Sequence, residues 1–176
     1  MLKELYPNAY AEDVFSIDYQ ALYDHGYRGI LFDVDNTLVH HNEPITPEAE
    51  ALFAKLAAIG LQAALVSNNG QERCQRFAES IHIPFVANAD KPQPKGYLQA
   101  IAALGLEKEQ VLAIGDQMFT DIQGANRAQI HSILVHYMVK NPKAFIGFKR
   151  YLEKVILFIY RFKKASQTLD FAIIKE

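Results

Sequence analysis

Short apolar runs alternate with longer amphipathic segments along most of the chain. The runs predict buried strands at residues 29–33, 61–67, 84–88, 110–116 and 131–137. The segments around them predict helices at residues 15–25, 45–60, 71–81, 95–105 and 119–129. Strands that alternate with helices predict an α/β fold: a doubly wound, Rossmann-like and mainly parallel five-stranded sheet with helices on both faces.

The helix predicted at residues 45–60 carries clear signals at both ends. Thr46 suits the N-cap, Pro47 suits the first helical position, and Gly60 suits the position after the last turn. Leu52 and Leu56 then share one face of the helix.

Polar side chains follow four of the predicted strands, at the point where each strand ends. They are Asp33 and Asp35 after the first strand, Ser67, Asn68 and Asn69 after the second, Lys91 and Lys95 after the third, and Asp116 and Asp121 after the fourth. In sheets of this kind, ligands bind beyond the carboxyl ends of the strands. We therefore expect these side chains to converge on one site.

The residue types at this edge suit phosphoryl transfer. Two close carboxylates, Asp33 and Asp116, repel each other unless a cation lies between them, and Mg²⁺ prefers oxygen ligands. Ser67, together with amide groups at Asn68 and Asn69, offers hydrogen bonds to an anion, and Lys91 or Lys95 can neutralise a phosphoryl group. An EF-hand is excluded, because Leu38 and Pro44 stand where its loop requires Gly and Glu.

These motifs resemble those of the haloacid dehalogenase (HAD) superfamily of Mg²⁺-dependent phosphatases. The resemblance rests on DVDNT at 33–37, Ser67, KPQP at 91–94 and GDQMFTD at 115–121, and it covers roughly residues 25–135. The segments GDQMFTD and SIDYQALYDHGYRG resemble the YqeG-type group of the uncapped subfamily III. That group is related to phosphatidylglycerophosphate phosphatases.

The resemblance implies a role for each motif residue. Asp33 would be the nucleophile that forms an aspartyl-phosphate, and Asp35 would be the general acid and base. The carboxylates of Asp33 and Asp116 and the carbonyl of Asp35 would hold Mg²⁺. Ser67, Asn68 and Lys91 would bind the phosphoryl group, while Thr37 and Asp121 would support the site.

Several of these residues also have simpler interpretations. Ser67 suits a helix N-cap, Asp121 a helix surface, and Lys95 a solvated helix position, although Lys91 fits the family pattern better. His40 and His41 are expected to be solvated loop residues. About ten residues separate the first motif from the first helix after it, which leaves no room for a cap domain.

The single cysteine, Cys74, excludes an internal disulfide and favours a reducing compartment. The first residues lack the basic start and apolar core of a secretion signal, and no segment reaches the roughly 18–20 apolar residues that span a bilayer. We therefore expect a cytoplasmic protein, at most peripheral to a membrane.

Charge divides the chain into an acidic body and a basic end. Residues 141–176 hold eight Lys and Arg against three acidic residues, a net charge of +5, which leaves −7 on residues 1–140. We expect a phosphatase domain at 1–140 and a helical extension at 141–176. Within residues 143–164, apolar side chains recur at helical spacing: Phe145, Phe148, Leu152, Val155, Ile159 and Phe162. This stripe suits an anionic membrane or a second subunit, or packing against the domain.

The leading hypothesis is a Mg²⁺-dependent phosphomonoesterase, with phosphatidylglycerophosphate as a candidate substrate and no nucleic acid partner. A receiver-like switch that retains its aspartyl-phosphate is an alternative, although it would not need Asp35. A non-catalytic adapter that docks through the C-terminal helix is a third.

Overall fold

The computed structural model describes residues 2–138, 148–160, 162 and 167–174. The strands are β1 (Ala9–Ala11), β2 (Gly29–Phe32), β3 (Gln62–Val66), β4 (Phe85–Val86), β5 (Val111–Gly115) and β6 (His131–Val135). The helices are α1 (Tyr19–Asp24), α2 (Pro47–Ile59), α3 (Gln71–Ile81), α4 (Lys95–Leu104), α5 (Gln123–Ala128) and α6 (Phe148–Tyr160). A π-helical segment, Met118–Ile122, precedes α5, and 3₁₀ helices occupy Leu2–Leu5, Lys108–Gln110 and Asp170–Ala172.

The strands form one parallel sheet in the order β1-β6-β5-β2-β3-β4. The predicted doubly wound α/β fold is confirmed, but the prediction of five strands is wrong. The additional strand, β1, is three residues long and pairs with β6 at the edge of the sheet, so its apolar pattern is too short to recognise. The strand order reverses between β2 and β5, which places a ligand crevice at their carboxyl ends.

Strand β2 lies between β5 and β3 in the interior of the sheet, and every one of its residues is buried. Ile30 and Phe32 pack in the same cluster as Leu56 of α2 on one face of the sheet. Leu31 packs in the same cluster as Ala100 of α4 on the other face. Helices therefore pack on both faces of the strand that directly precedes Asp33.

The signals predicted for α2 are present at both ends of the helix. The Oγ1 atom of Thr46 accepts a hydrogen bond from the Ala49 N–H at 3.2 Å, and Pro47 is the first helical residue. Gly60 follows the last turn with a φ of 96°, a conformation that glycine adopts without strain.

The described C-terminal residues 167–174 pack against the body of the protein. The Leu169 N–H donates to the Asn8 carbonyl at 3.1 Å, and Ile173 forms an antiparallel bridge with Ile17. Ala172 is buried in the same cluster as Ile17.

Helix α6 packs on the body of the protein through a different face from the predicted stripe. Glu153, Ile156 and Tyr160 are buried, and Ile156 contributes to a cluster with Met118 and Leu134. The described stripe residues are exposed instead: Leu152 (38%), Val155 (43%), Ile159 (40%) and Phe162 (73%). The side chains of Phe145 and Phe148 lie outside the described residues. Within the described part of the chain, no helix combines the length and the apolarity that a membrane crossing requires.

Candidate active site

Five predicted site residues converge beyond the carboxyl ends of β2, β3 and β5. Asp33 directly follows β2, Ser67 follows β3, and Asp116 follows β5. Lys91 and Asp121 extend into the same region from the loop before α4 and from the π-helical segment. Apart from Asp33, which keeps a small exposed fraction, these residues are buried.

Lys91 is the centre of this cluster. Its Nζ atom donates hydrogen bonds to Asp33 Oδ1 at 2.6 Å, to Asp121 Oδ1 at 2.6 Å and to the Val66 carbonyl at 2.9 Å. Burial acts to lower the pKa of Lys91, but the carboxylates of Asp121 and Asp33 outweigh it and raise that pKa well above its ordinary value. Lys91 is therefore a fixed ammonium group at neutral pH.

The structure distinguishes between the two candidate lysines. Lys95, the first residue of α4, is exposed and lines a separate depression with Asn88 and Gln93. Lys91, rather than Lys95, lies at the carboxylate cluster.

Asp33 lies in a strongly desolvated position. Burial raises its pKa to about 6, while the ammonium of Lys91 acts in the opposite direction. The hydroxyl of Thr37 lies 3.3 Å from Asp33 Oδ2 and 3.4 Å from Asp116 Oδ1, so it bridges the two carboxylates. Thr37 is placed where the sequence analysis expected a supporting residue.

Asp35 has a more polar environment than Asp33, although only one residue separates them. Its Oδ1 accepts from Arg73 Nη2 at 3.0 Å and from the Asn42 N–H at 3.1 Å, and its Oδ2 accepts from Asn69 Nδ2 at 2.9 Å. Burial acts to raise the pKa of Asp35, but the hydrogen bonds from Arg73, Asn69 and Asn42 outweigh it and hold the pKa below its usual value.

The loop after β3 holds Lys91 in place. The Oδ1 atom of Asn68 accepts from the Lys91 N–H at 2.7 Å, and its Nδ2 donates to the Lys91 carbonyl at 3.2 Å. The Ser67 hydroxyl accepts from the Asn69 N–H at 3.2 Å. Ser67 does not occupy the N-cap of α3, because that position belongs to Gly70.

Asp121 is fixed by the turn that follows β5. Its Oδ2 accepts from the Gln117 N–H at 3.0 Å, and its carbonyl accepts from the Tyr97 hydroxyl at 3.1 Å. The close approach depends on Gly115, because a Cβ atom there would lie 2.4 Å from Asp121 Cβ. The interpretation of Asp121 as a helix-surface acid is therefore wrong.

Three carboxylates of this cluster are suited to a cation. Asp33, Asp116 and Asp121 each present an oxygen, and these oxygens lie within 4.8 Å of one another. Asp121 accepts hydrogen bonds on both of its oxygens, from Lys91 on Oδ1 and from Gln117 on Oδ2. Divalent metals such as Mg²⁺ favour carboxylate oxygens, so this cluster suits such an ion.

Sequence analysis did not identify Arg73, which contacts Asp35. Arg73 lies in the first turn of α3, close to the loop after β2. Its Nη2 atom also donates to the Glu43 carbonyl at 2.6 Å. His41, expected to be a solvated residue, is exposed but places Nδ1 3.2 Å from Asp35 Oδ2. No local signal in the sequence indicates the contact between Arg73 and Asp35, because it depends on how α3 lies against the loop after β2.

The cavity over these residues is small. It measures about 150 Å³, and its lining includes Asp33, Asp35, Ser67 and Lys91. Residues 33–121, all of which the structure describes, contain only the strands and helices of the sheet, so no cap is inserted there.

Comparison with known proteins defines the class to which this fold and site belong. The family model of haloacid dehalogenase-like hydrolases matches residues 39–129, a range that includes Ser67, Lys91 and Asp116. The chain therefore belongs to the haloacid dehalogenase-like hydrolases, an enzyme family. The resemblance recognised in the sequence is confirmed.

Individual relatives show which phosphatases this chain is similar to. "Probable phosphatase YqeG" of Bacillus subtilis (strain 168) is 35% identical over 159 residues, which cover 89% of this chain and 92% of that protein. The chloroplastic phosphatidylglycerophosphate phosphatase 1 of Chlamydomonas reinhardtii is 31% identical over 153 residues, with 79% of this chain matched to 55% of the longer relative. A haloacid dehalogenase-like family hydrolase from Streptococcus pneumoniae has the same fold, with a TM-score of 0.54 at 15% identity over 78% of this chain and 92% of that one.

Proposed function

We propose that this chain is a Mg²⁺-dependent phosphatase that hydrolyses a phosphomonoester through an aspartyl-phosphate on Asp33. The broader class, a phosphoric monoester hydrolase of the haloacid dehalogenase superfamily, is supported by the family match and by the phosphatase names of the two relatives. The observation that carries the chemical proposal is the convergence of Asp33, Lys91 and Asp116 on one small open cavity, which suits a phosphoryl group.

Asp33 is the proposed nucleophile because it lies where the three loops meet. Its carboxylate oxygen would attack phosphorus in line, and the bond between phosphorus and the alcohol oxygen would break. Water would then attack the aspartyl-phosphate, releasing inorganic phosphate and restoring the carboxylate. Lys91, held by Asp121 and the Val66 carbonyl, would neutralise charge on the transferring group.

Asp35 is the proposed general acid and base. It would give a proton to the leaving alcohol in the first step and take one from the attacking water in the second. Its polar contacts to Arg73 and Asn69 differ from the desolvated surroundings of Asp33. Two carboxyl groups in different environments are suited to two different roles.

The residues present fit a magnesium ion. The carboxylates of Asp33 and Asp116 and the carbonyl of Asp35 would hold it, since Mg²⁺ favours carboxylate and carbonyl oxygens. When bound, the ion supplies positive charge that polarises the phosphoryl group. Ser67 would contribute its hydroxyl to phosphate binding, and Asn68 its backbone N–H, because its side chain is already bonded to the Lys91 backbone.

Hydrolysis of an aryl phosphate tests the nucleophile. Asp33→Asn should abolish Mg²⁺-dependent activity and the phosphate adduct that mass spectrometry detects in the acid-quenched wild-type enzyme. Asp24→Asn, a change at an exposed aspartate at the end of α1, is the matched control and should retain both. An active Asp33→Asn variant would refute the proposal, and an adduct that persists for minutes would favour the receiver-like switch instead.

Phosphatidylglycerophosphate is the proposed substrate, and peripheral membrane association is the proposed route to it. The algal relative carries that activity in its name. The exposed apolar residues Leu152, Val155 and Ile159 of α6, within a basic segment, suit an anionic lipid surface.

Vesicle sedimentation tests the membrane association. Leu152→Asp should weaken binding to vesicles that contain anionic lipid, while Leu98→Asp should not, because Leu98 has the same 38% exposure but lies on α4. Equal binding of both variants would exclude α6 as the contact. Rates on phosphatidylglycerophosphate, sugar phosphates, nucleotides and phosphoprotein would decide the substrate.

A further inference from the structure

A second cavity lies beside the catalytic one, between α6 and the edge of the sheet formed by β1 and β6. It measures about 310 Å³, at the small end of the range for ligand sites. Most of its lining is apolar or aromatic and includes Tyr10, Leu134, Tyr137, Leu157 and Phe158. We refer to it as the α6 cleft.

The α6 cleft meets the catalytic residues at two points along the chain. Asp116, a proposed magnesium ligand, lines the cleft, and the next residue, Gln117, lines the catalytic cavity. In addition, the Met138 N–H, just after the cleft residue Tyr137, donates to the Asn36 carbonyl at 3.1 Å in the loop that carries Asp35. Because carboxylate oxygens of Asp33 and Asp116 lie within 4.8 Å of each other, the apolar lining of the cleft begins next to the residue that would receive the phosphate.

Helix α6 is attached to the catalytic turn as well as forming one wall of the cleft. The Oε1 atom of buried Glu153 accepts from the Met118 N–H at 2.9 Å. Met118 begins the π-helical segment that carries Asp121. This hydrogen bond links the helix that forms one wall of the cleft to the segment that carries Asp121.

We propose that the α6 cleft binds the hydrocarbon part of the substrate, next to the phosphate held at Asp33. The inference rests on the proposed phosphatase function and specifies its substrate class as a phosphomonoester of an amphiphilic alcohol. A small hydrophilic alcohol would leave the apolar walls hydrated, whereas an alkyl chain would remove them from water. Phe158 is 63% exposed, so an alkyl chain would cover apolar surface of its ring that water now contacts. Lys154, also exposed and in the lining of the cleft, adds a cation suited to a second anionic group.

Alkylphosphonates of increasing length test the cleft, because their carbon–phosphorus bond resists hydrolysis and binding can be measured without turnover. Calorimetry on the full chain with Mg²⁺ should show tighter binding of hexylphosphonate than of ethylphosphonate. Hexylphosphonate has four more methylenes than ethylphosphonate. A buried methylene contributes about fourfold in affinity, so burial of two of the four would give roughly 15-fold. A ratio near one would overturn the proposal.

Variants on α6 locate the chain-length effect. Phe158→Ser should reduce the ratio between the two phosphonates several-fold, and Phe158→Leu should restore most of it. Tyr151→Ser is the matched control, an exposed aromatic of the same helix that lies outside the cleft lining, and should keep the wild-type ratio. An unchanged ratio in Phe158→Ser would place the hydrocarbon elsewhere.

This outcome is separable from failure of the proposed function. Absence of a chain-length effect in the wild-type protein, with Asp33-dependent hydrolysis intact, would refute the cleft proposal alone. Hydrolysis that persists in Asp33→Asn would refute the mechanism, whatever the phosphonates show.

Discussion

Lys91 is the residue whose removal most directly tests the electrostatic description of the site. Its side chain is 3% exposed and its ammonium lies 2.6 Å from both Asp33 and Asp121, whose side chains are 11% and 4% exposed. Lys91→Met keeps much of the side-chain length but leaves these carboxylates without their shared cation. Removing one partner of a buried ion pair typically costs about 3–5 kcal/mol. We expect a loss of stability in that range at pH 8 in a metal-free buffer.

The loss should depend on pH, and its sign follows from the raised pKa of Asp33. In the wild type that carboxyl, with a pKa of about 6, is ionised above pH 6.5. Without Lys91 its pKa rises further, so the folded variant retains a proton that the unfolded chain has lost. Stability then falls by about 1.4 kcal/mol for each pH unit, or roughly 2 kcal/mol more than the wild type between pH 6.5 and 8.

Urea unfolding followed by circular dichroism, in buffers containing EDTA, measures both effects. The matched control is Lys95→Met, which removes an exposed lysine four residues along the chain and should change stability by less than about 0.5 kcal/mol. If Lys91→Met unfolded like Lys95→Met, with the same dependence on pH, the buried ion cluster would not exist as described.

Three further changes test the acid, the close approach at the site, and a helix cap. Asp35→Asn should slow turnover of alkyl phosphates by about 10²–10⁴-fold, and with an aryl phosphate, whose phenolate leaves without a proton, phosphorylated Asp33 should accumulate in rapid-quench experiments; wild-type rates would exclude a proton-transfer role. Gly115→Ala places a Cβ atom 2.4 Å from Asp121 Cβ, so we expect the stability measured by thermal unfolding to fall by about 1–3 kcal/mol and kcat to fall as well. If neither value changed, the close packing of Gly115 against Asp121 would be contradicted. Thr46→Ala removes the α2 cap and should cost about 1 kcal/mol in urea unfolding with unchanged activity, whereas a loss of activity would imply that α2 affects the site.

The order of elements and the location of the site could be predicted because both depend on local pattern. The apolar run that ends at Asp33 and the capping signals at Thr46 and Gly60 act over a few residues, so the sequence shows them directly. Because ligands bind beyond the carboxyl ends of parallel strands, the sequence also predicts that Ser67 and Asp116 lie at the same edge of the sheet. Strand β1 was missed because three residues do not show a pattern, and only pairing with β6 makes them a strand.

The residues that control Asp35 illustrate what local pattern does not contain. Arg73 and Asp35 are far apart in the sequence, and their contact depends on where α3 lies relative to the loop after β2. The same holds for Lys91 rather than Lys95, because either lysine fits the spacing and only the path of the loop carries one of them to Asp33.

Helix α6 shows the division most clearly. From the sequence alone came a helix with an apolar stripe in a basic segment, because helical periodicity is a property of neighbouring residues. The choice of which face is buried was made by the tertiary structure, where Glu153 and Ile156 contact the segment that begins at Met118, and the stripe at Leu152 and Ile159 is left exposed. Periodicity reports how apolar each face is, whereas burial depends on the shape and hydrogen-bonding groups of the surface opposite, which come from distant parts of the chain.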